Sequence, residues 1–280
     1  MVIESIPKAV GMGFAVVVSI LVVALLLRGR FTRRAGLVLA VAAALMGFLV
    51  FAPMLPNQFQ ALLLGKTKQL GVPVALAGAV LGLFVVMAFV LGRSFCGYAC
   101  PIGAVQELAY RLPGRKLMLR NKRVTQAFRL ASLGVFLVLA LGFSLGMLNY
   151  LGVRDFFYLD LTWYLPVFGA IVVLAAFLYR PFCRLACPYG AILSLAAIKG
   201  VFKLRRNDSC QDCGKCEKVC PTNEAGAGDS KQECYLCLRC VESCKLNGFS
   251  YGWSGRRKPQ TRRSGGQRGA ERRPGPAVPE

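Results

Sequence analysis

The sequence contains no histidine in 280 residues. That absence excludes bis-histidine haem ligation, Cys-x-x-Cys-His haem attachment, histidine-containing zinc sites and histidine general bases. Acidic residues are also scarce, since 13 Asp and Glu stand against 35 Lys and Arg and leave a net charge of +22. Such a charge indicates either a nucleic acid or an anionic membrane surface as a partner, and the positions of the charges decide between them.

Polar residues are too few for an ordinary soluble domain, because 55% of the chain is hydrophobic and its mean hydropathy is +0.52. Several apolar stretches are long enough to cross a bilayer core of about 30 Å as helices. We predict five spans, near residues 9–27, 35–55, 72–92, 130–151 and 161–179. The first is predicted to be a retained anchor rather than a signal peptide, because its positive charges follow the apolar stretch instead of preceding it.

The basic residues lie almost entirely on one side of these spans. Thirty-one of the 35 fall in the connections 28–34 and 93–129 or after position 179, and only four fall on the other side. By the positive-inside rule, the amino terminus is outside and the carboxyl-terminal part is in the cytoplasm. Sidedness and anionic lipid therefore explain the charge, and no nucleic-acid partner is predicted.

Eight of the twelve cysteines lie in two short runs near the carboxyl end. The run CQDCGKCEKVCP (210–221) has the C-x2-C-x2-C-x3-C-P spacing of bacterial ferredoxins, and CYLCLRCVESC (234–244) repeats it without the proline. Two zinc sites are the alternative, although zinc ribbons space two C-x-x-C pairs far apart. In a cytoplasmic segment stable disulfides are not expected, so we predict two [4Fe–4S] clusters.

In two-cluster ferredoxins the fourth cysteine of each run ligates the cube held by the other run. This crossover rule gives the predicted metal ligands. The first cluster takes Cys210, Cys213, Cys216 and Cys244, and the second takes Cys234, Cys237, Cys240 and Cys220.

Two further cysteine pairs follow the third and fifth predicted spans. The segments GRSFCGYACPIGAVQELA (92–109) and YRPFCRLACPYGAILSLA (179–196) align at an offset of 87 residues and agree at ten of eighteen positions. The agreement indicates a two-fold internal repeat, a class of bundle whose shared site tends to lie at the repeat interface. The candidate redox thiols are Cys96, Cys100, Cys183 and Cys187. Three roles stay open for them: a dithiol/disulfide pair, a third metal or cluster site, or an inert structural cap.

The two C-x3-C-P motifs and the two ferredoxin runs together resemble those of the ferredoxin-type membrane proteins of the NapH/MauN type, from periplasmic nitrate reductase and methylamine utilisation systems. The resemblance covers about residues 35–250. It implies an iron–sulfur electron-transfer protein that links the quinone pool or a cytoplasmic donor to a periplasmic redox system. The other implied role is a non-catalytic maturation or redox-sensing factor for a periplasmic dehydrogenase.

The resemblance leaves open whether the chain acts as an enzyme, for example as a subunit of a quinol dehydrogenase. Nitrate-type members usually have four spans and a cytoplasmic amino terminus. The additional first span therefore favours the methylamine-type branch or an unassigned relative. The implied partners are membrane lipid, quinone, and other redox subunits, periplasmic and membrane-bound.

The predicted fold is an α-helical membrane bundle with a small α+β ferredoxin-like domain, in the bacterial inner membrane with that domain in the cytoplasm. We expect a first span and basic loop at 1–34, the bundle at 35–198, the two-cluster domain at 199–253 and a disordered basic tail at 254–280.

No haem is expected, because histidine is absent. Weak candidates for proton handling at a quinone are Gln106, Glu107, Asp155 and Asp160, each of which is otherwise an ordinary solvated polar residue.

Overall fold

A computed structural model of the chain describes residues 2–50, 55–66 and 73–253, with side chains from Val10 onward. The basic tail predicted at 254–280 lies outside the described residues. The first half contains α1 (Val2–Leu27), α2 (Arg33–Val50), α3 (Leu55–Leu63), α4 (Val74–Leu91), α5 (Ser94–Tyr98) and α6 (Pro101–Tyr110).

The second half begins with α7 (Lys122–Leu137), which continues into a π-helical turn at Val138–Gly142. There follow α8 (Met147–Tyr150), α9 (Val153–Tyr158), α10 (Leu165–Ala175), a second π-helical turn at Phe182–Ala186, and α11 (Pro188–Ile198). The last part contains β1 (Phe202–Arg206), α12 (Lys215–Val219), α13 (Arg239–Glu242) and β2 (Phe249–Trp253).

Four of the described helical segments are long and apolar enough to cross a membrane. They are Val10–Leu27, Arg33–Val50, Val74–Leu91 and Lys122–Gly142. The third, α4, has a mean hydropathy of 2.8 over 18 residues and a length of about 27 Å. It ends at Gly92, whose φ of +71° lies in the region that glycine adopts without strain.

The fourth span begins at Lys122 rather than near residue 130. Its polar first turn is stabilised by Asn121, whose side chain accepts hydrogen bonds from the backbone N–H groups of Arg123 and Val124. The span ends at Gly142, so the predicted continuation to residue 151 is wrong.

The fifth predicted span is not confirmed. Its place is taken by α10, whose 11 residues extend about 16 Å, too short for a hydrocarbon core of about 30 Å. After this helix the chain turns, and the backbone N–H of Leu117 donates to the carbonyl of Phe177. The apolar sequence therefore continues after Ala175, but the helix α10 ends there.

Small residues let α2 pack closely against α6. The buried face of α2 consists of Gly36, Ala40, Ala43, Ala44 and Gly47. A Cβ on Gly47 would lie 2.5 Å from the Cβ of Pro101, the first residue of α6. The helix α11 packs against α4 and begins with Pro188. Proline is favoured at this position because the first N–H of a helix has no intrahelical partner.

The eight carboxyl-terminal cysteines lie between β1 and β2, which pair antiparallel with Phe202 opposite Trp253. This small α+β unit packs against one end of the bundle. The hydroxyl of Tyr98 donates to the Leu236 carbonyl at 2.7 Å, and that of Tyr251 donates to the Leu91 carbonyl at 2.8 Å. The ferredoxin-like segment is therefore fixed where α4 and α5 meet.

Candidate metal centres

The first candidate centre is a cavity at the surface of the ferredoxin-like segment. Its cysteine lining consists of Cys210, Cys213, Cys216 and Cys244. The N–H of Gly248 donates to the Cys244 sulfur at 3.2 Å, and Arg206 donates to the Cys216 sulfur at 3.4 Å. Such donors favour thiolates, the form that binds metal. Cys213 is exposed, so this centre lies next to solvent.

The second candidate centre lies closer to the bundle. Its cysteine lining consists of Cys220, Cys234, Cys237 and Cys240. The backbone N–H of Glu224 donates to the Cys220 sulfur at 3.2 Å. Burial raises the pKa of Cys234 to about 12, so a bound metal would be needed to ionise it at neutral pH. Phe249 lines both this cavity and the first, which makes the two centres neighbours.

The C-x3-C-P cysteines form a third group of four. One cavity is lined by Cys96, Cys100, Cys183 and Cys187, all of them buried. The first cysteine of each motif lies on a short helical turn, α5 or Phe182–Ala186, and the second precedes the proline that begins the next helix. Residues far apart in sequence are thus brought to one place.

No described group of three or more His, Cys, Asp and Glu side chains has the arrangement that holds a single metal ion. Four thiolates around one zinc ion, each at about 2.3 Å, would lie within about 4 Å of one another. A four-iron cube keeps its ligands farther apart. Each of the three cavities is lined by four cysteines, the number of ligands that such a cube requires.

Buried arginines separate the third group from the ferredoxin-like segment. Arg93 and Arg180, which occupy equivalent positions before the two motifs, are each 1% exposed. Both guanidinium groups lie against the ring of Tyr235, at 4.4 and 4.8 Å from its centroid. Two further arginines, Arg129 and Arg184, share the carboxylate of Glu233.

Sequence reasoning missed this layer, because arginines at the ends of spans also satisfy the positive-inside rule. The available signal was that an arginine precedes the first cysteine of both motifs at the same distance, at positions 93 and 180.

Gln106 and Glu107 are buried, and the interpretation of them as solvated residues is wrong. The amide of Gln106 donates to the Cys183 sulfur at 3.3 Å and accepts from the backbone N–H of Phe182 at 3.0 Å. Burial alone would raise the pKa of Glu107, but Arg180 and Arg239 lower it below its ordinary value. Glu107 is therefore an ionised structural partner.

The other two polar candidates lie elsewhere in the bundle. Asp155 accepts a hydrogen bond from the hydroxyl of Thr162, and Asp160 is exposed. Neither lines any of the three cysteine cavities.

Comparison with known proteins gives one family model and several curated relatives. The model, described as a 4Fe-4S binding domain, matches residues 72–120 and again 159–207. The uncharacterized protein MJ0750 of Methanocaldococcus jannaschii is 31% identical over 188 residues, which are 63% of this chain and 79% of that protein.

The putative electron transport protein YccM of Escherichia coli is 32% identical over 64% of this chain and 56% of its own length. The methylamine utilization ferredoxin-type protein MauN of Methylobacillus flagellatus is 32% identical over 51% of this chain and 54% of its own. The chain is a ferredoxin-type protein similar to NapH and MauN. No solved structure matches it.

These similarities support an iron–sulfur electron transport protein of the ferredoxin type that is related to NapH and MauN. Its apolar helices indicate a membrane protein. Each stretch matched by the 4Fe-4S model contains one C-x3-C-P motif, and both end before Cys210. The eight-cysteine segment therefore lies outside the matched stretches. The chain spans little more than half of YccM and MauN, so their complete activities do not transfer to it directly.

Proposed function

We propose that this protein is a membrane-bound electron relay with two [4Fe–4S] clusters in its ferredoxin-like segment. One cluster would be held by Cys210, Cys213, Cys216 and Cys244, and the other by Cys234, Cys237, Cys240 and Cys220. When bound, each cluster would accept and release one electron at a time. The relay would link the quinone pool or a cytoplasmic donor to a periplasmic redox system.

The observation that carries this proposal is the lining of the two adjacent cavities. Each contains three cysteines of one run and a single cysteine of the other, Cys244 or Cys220. That division is the one expected for a two-cluster ferredoxin. N–H donors face sulfurs in both cavities, which suits thiolate ligands and helps to set cluster potentials.

The surroundings of the two cavities suit an electron relay in which one centre is exposed to solvent and the other is buried beside the bundle. Exposed Cys213 would bring the first centre within reach of a soluble or membrane-bound redox partner. The second centre lies beside Tyr235, which contacts buried residues of the bundle. The residues between them, such as Phe249, would keep the two centres at a fixed separation.

The proposed location is the bacterial inner membrane, with the ferredoxin-like segment and the carboxyl terminus in the cytoplasm and the amino terminus in the periplasm. The excess of basic residues at the cysteine-containing end supports this orientation. The name of the relative MauN supports methylamine utilisation as the pathway. The resemblance of the motifs to the NapH type leaves nitrate reduction as the other pathway, with periplasmic or membrane-bound redox subunits as partners.

The test is the rate at which a quinol reduces the clusters. The full chain, purified without oxygen and placed in lipid nanodiscs, is mixed with a soluble quinol analogue while its visible absorbance and EPR spectra are followed. We expect reduction within about one second, because catalytic turnover is commonly 1–10³ per second. The oxidised quinone serves as the matched control.

A protein that dithionite reduces but quinol does not would contradict the quinone link. That result would favour the accessory role, in which the clusters serve maturation or redox sensing of a partner dehydrogenase.

A further inference from the structure

The buried cavity at the C-x3-C-P motifs takes two sulfurs from each half of the bundle. Cys96 and Cys100 come from the first motif, and Cys183 and Cys187 from the second. Neither half alone offers the four ligands that a [4Fe–4S] cube requires, but the two together do. No other His, Asp or Glu lines this cavity.

Hydrogen-bond donors face the sulfurs of this cavity. The N–H of Gly190 donates to Cys187 at 3.2 Å, the amide of Gln106 to Cys183 at 3.3 Å, and Arg93 to Cys96 at 3.7 Å. A sulfur that accepts hydrogen bonds is stabilised as a thiolate, which is the form that binds a metal. The bond from Gly190 is also the N-cap of α11, so Gln106 and Arg93 are the donors that distinguish this site from an inert cap.

Charge gives an independent argument. Four arginines are no more than 4% exposed in this layer, Arg93, Arg129, Arg180 and Arg184, whereas the buried acids beside them are Glu107 and Glu233. Glu107 pairs with Arg180, and Glu233 is shared by two arginines. The buried layer therefore carries an excess of positive charge, which is costly unless an anion compensates it.

Glu233 is the acid whose charge reaches Arg93, but two other arginines already pair with it. No salt bridge of Arg93 is found among the described residues, and its Nε and Nη1 atoms have no hydrogen-bond partner there. The equivalent arginine, Arg180, pairs with Glu107, but the position equivalent to Glu107 in the second motif is Ser194. A guanidinium group cannot lose its proton in a protein, so an anion must lie nearby.

Neutral thiols and a disulfide would both leave Arg93 without an anionic partner of its own, whereas a cluster held by four thiolates carries net negative charge. The backbone at Gly190 also passes close to the Cys187 sulfur and to Arg93. A Cβ on Gly190 would lie 3.2 Å from the Cys187 sulfur and 3.3 Å from Arg93 Nη2.

We propose that Cys96, Cys100, Cys183 and Cys187 bind a third [4Fe–4S] cluster, shared between the two halves of the bundle, with Arg93 as its charge partner. Tyr235 connects this site to the neighbouring centre, because it lines the cavity of Cys220, Cys234, Cys237 and Cys240 and its ring contacts Arg93. The inference deepens the proposed function. It depends on that function for the source of the electron but not for the binding of iron.

The test is the iron and sulfide content of the full chain, purified from the membrane in detergent without oxygen. We expect about twelve irons and twelve sulfides per chain, three cubes of four, with three reducible clusters in EPR and Mössbauer spectra. Cys100→Ala and Cys187→Ala should each lower the content to about eight irons and leave the signals of the ferredoxin-like segment unchanged. Cys213→Ala is the matched control and should retain the signal of the third cluster.

A content of about eight irons in the unmodified chain, unchanged in Cys100→Ala and Cys187→Ala, would overturn the inference and leave the proposed function intact. A Cys96–Cys183 or Cys100–Cys187 disulfide, found by thiol titration, would overturn it too. If instead iron were bound only at the C-x3-C-P cysteines, the proposed function would fail and this inference would stand.

Arg93→Met keeps every ligand and tests the charge argument without removing a sulfur. Loss of a buried positive charge disfavours the reduced, more negative cluster, so one midpoint potential should fall while the iron content stays the same. Arg115→Met, at an exposed position, should change no potential. Equal potentials in the two variants would contradict the role assigned to Arg93.

Discussion

At the scale of single residues, cysteine spacing predicts which cysteines line one cavity, and the similarity of the two C-x3-C-P segments relates the cysteines that lie far apart. The ligands of ferredoxin-type clusters are close in sequence. The spacing in the runs that begin at Cys210 and Cys234, together with the crossover rule, therefore predicts which four cysteines line each of the two cavities. Residues 96 and 183 could be related only through the internal similarity of their segments. The burial of Arg93 could not be predicted, because a charged residue at the end of a span is also what membrane sidedness requires.

Cys244→Ala provides a test of the ligand division. Although Cys244 belongs to the second run, it lines the cavity of Cys210, Cys213 and Cys216. We expect its loss to remove or convert the exposed cluster and to spare the other, as EPR of the reduced protein should show. Cys240→Ala is the matched control and should affect the opposite cluster. If both variants lost the same signal, the crossover assignment would be wrong.

At the scale of elements, hydropathy predicts α1, α2 and α4 well and fails for α10. Hydropathy averages the side chains along a stretch but does not register where the backbone leaves the helix. The chain leaves it after Ala175, and Arg180 then adopts a φ of +49°, which turns the chain into the second motif. A non-glycine residue in this region is uncommon and is held there by its surroundings.

Gly97→Ala tests the contact between α5 and the ferredoxin-like segment. A Cβ at this position would lie 2.5 Å from the backbone carbonyl oxygen of Tyr235, which cannot move independently. We expect a loss of about 1–3 kcal/mol in stability from overpacking, seen as a lower thermal midpoint in detergent and faster proteolysis of the segment. Gly82→Ala, with no atom within 4 Å of its Cβ, is the control. Equal midpoints for the two variants would contradict this close contact.

At the scale of the whole molecule, the twelve cysteines gather at one end of the bundle. The motif at Cys96 follows α4, that at Cys183 follows α10, and the ferredoxin-like segment docks beside them through Tyr98 and Tyr251. Charge and composition predict this arrangement from the sequence alone. Three helices of span length precede the motif at Cys96, in agreement with the proposal that the amino terminus and the cysteines lie on opposite sides of the membrane.

Epitope tags test the proposed orientation. A cleavable tag fused after position 280 should resist protease in intact spheroplasts and be cut in inverted membrane vesicles. A tag inserted after Leu161, which is 95% exposed, should behave in the opposite way. Cleavage of the carboxyl-terminal tag from outside would place the cysteine-containing end in the periplasm, against the positive-inside rule.

The gathering of the cysteines at one end of the bundle has a consequence for how electrons cross the membrane. Span-length helices such as α4 extend about 27 Å, and their described portions carry no cysteine. That thickness is an insulator for single-step electron tunnelling. The cysteines therefore offer no path for electrons across the bilayer. Electrons would reach the opposite side of the membrane through a lipid-soluble carrier that diffuses in the bilayer, or through a partner protein with its own cofactors.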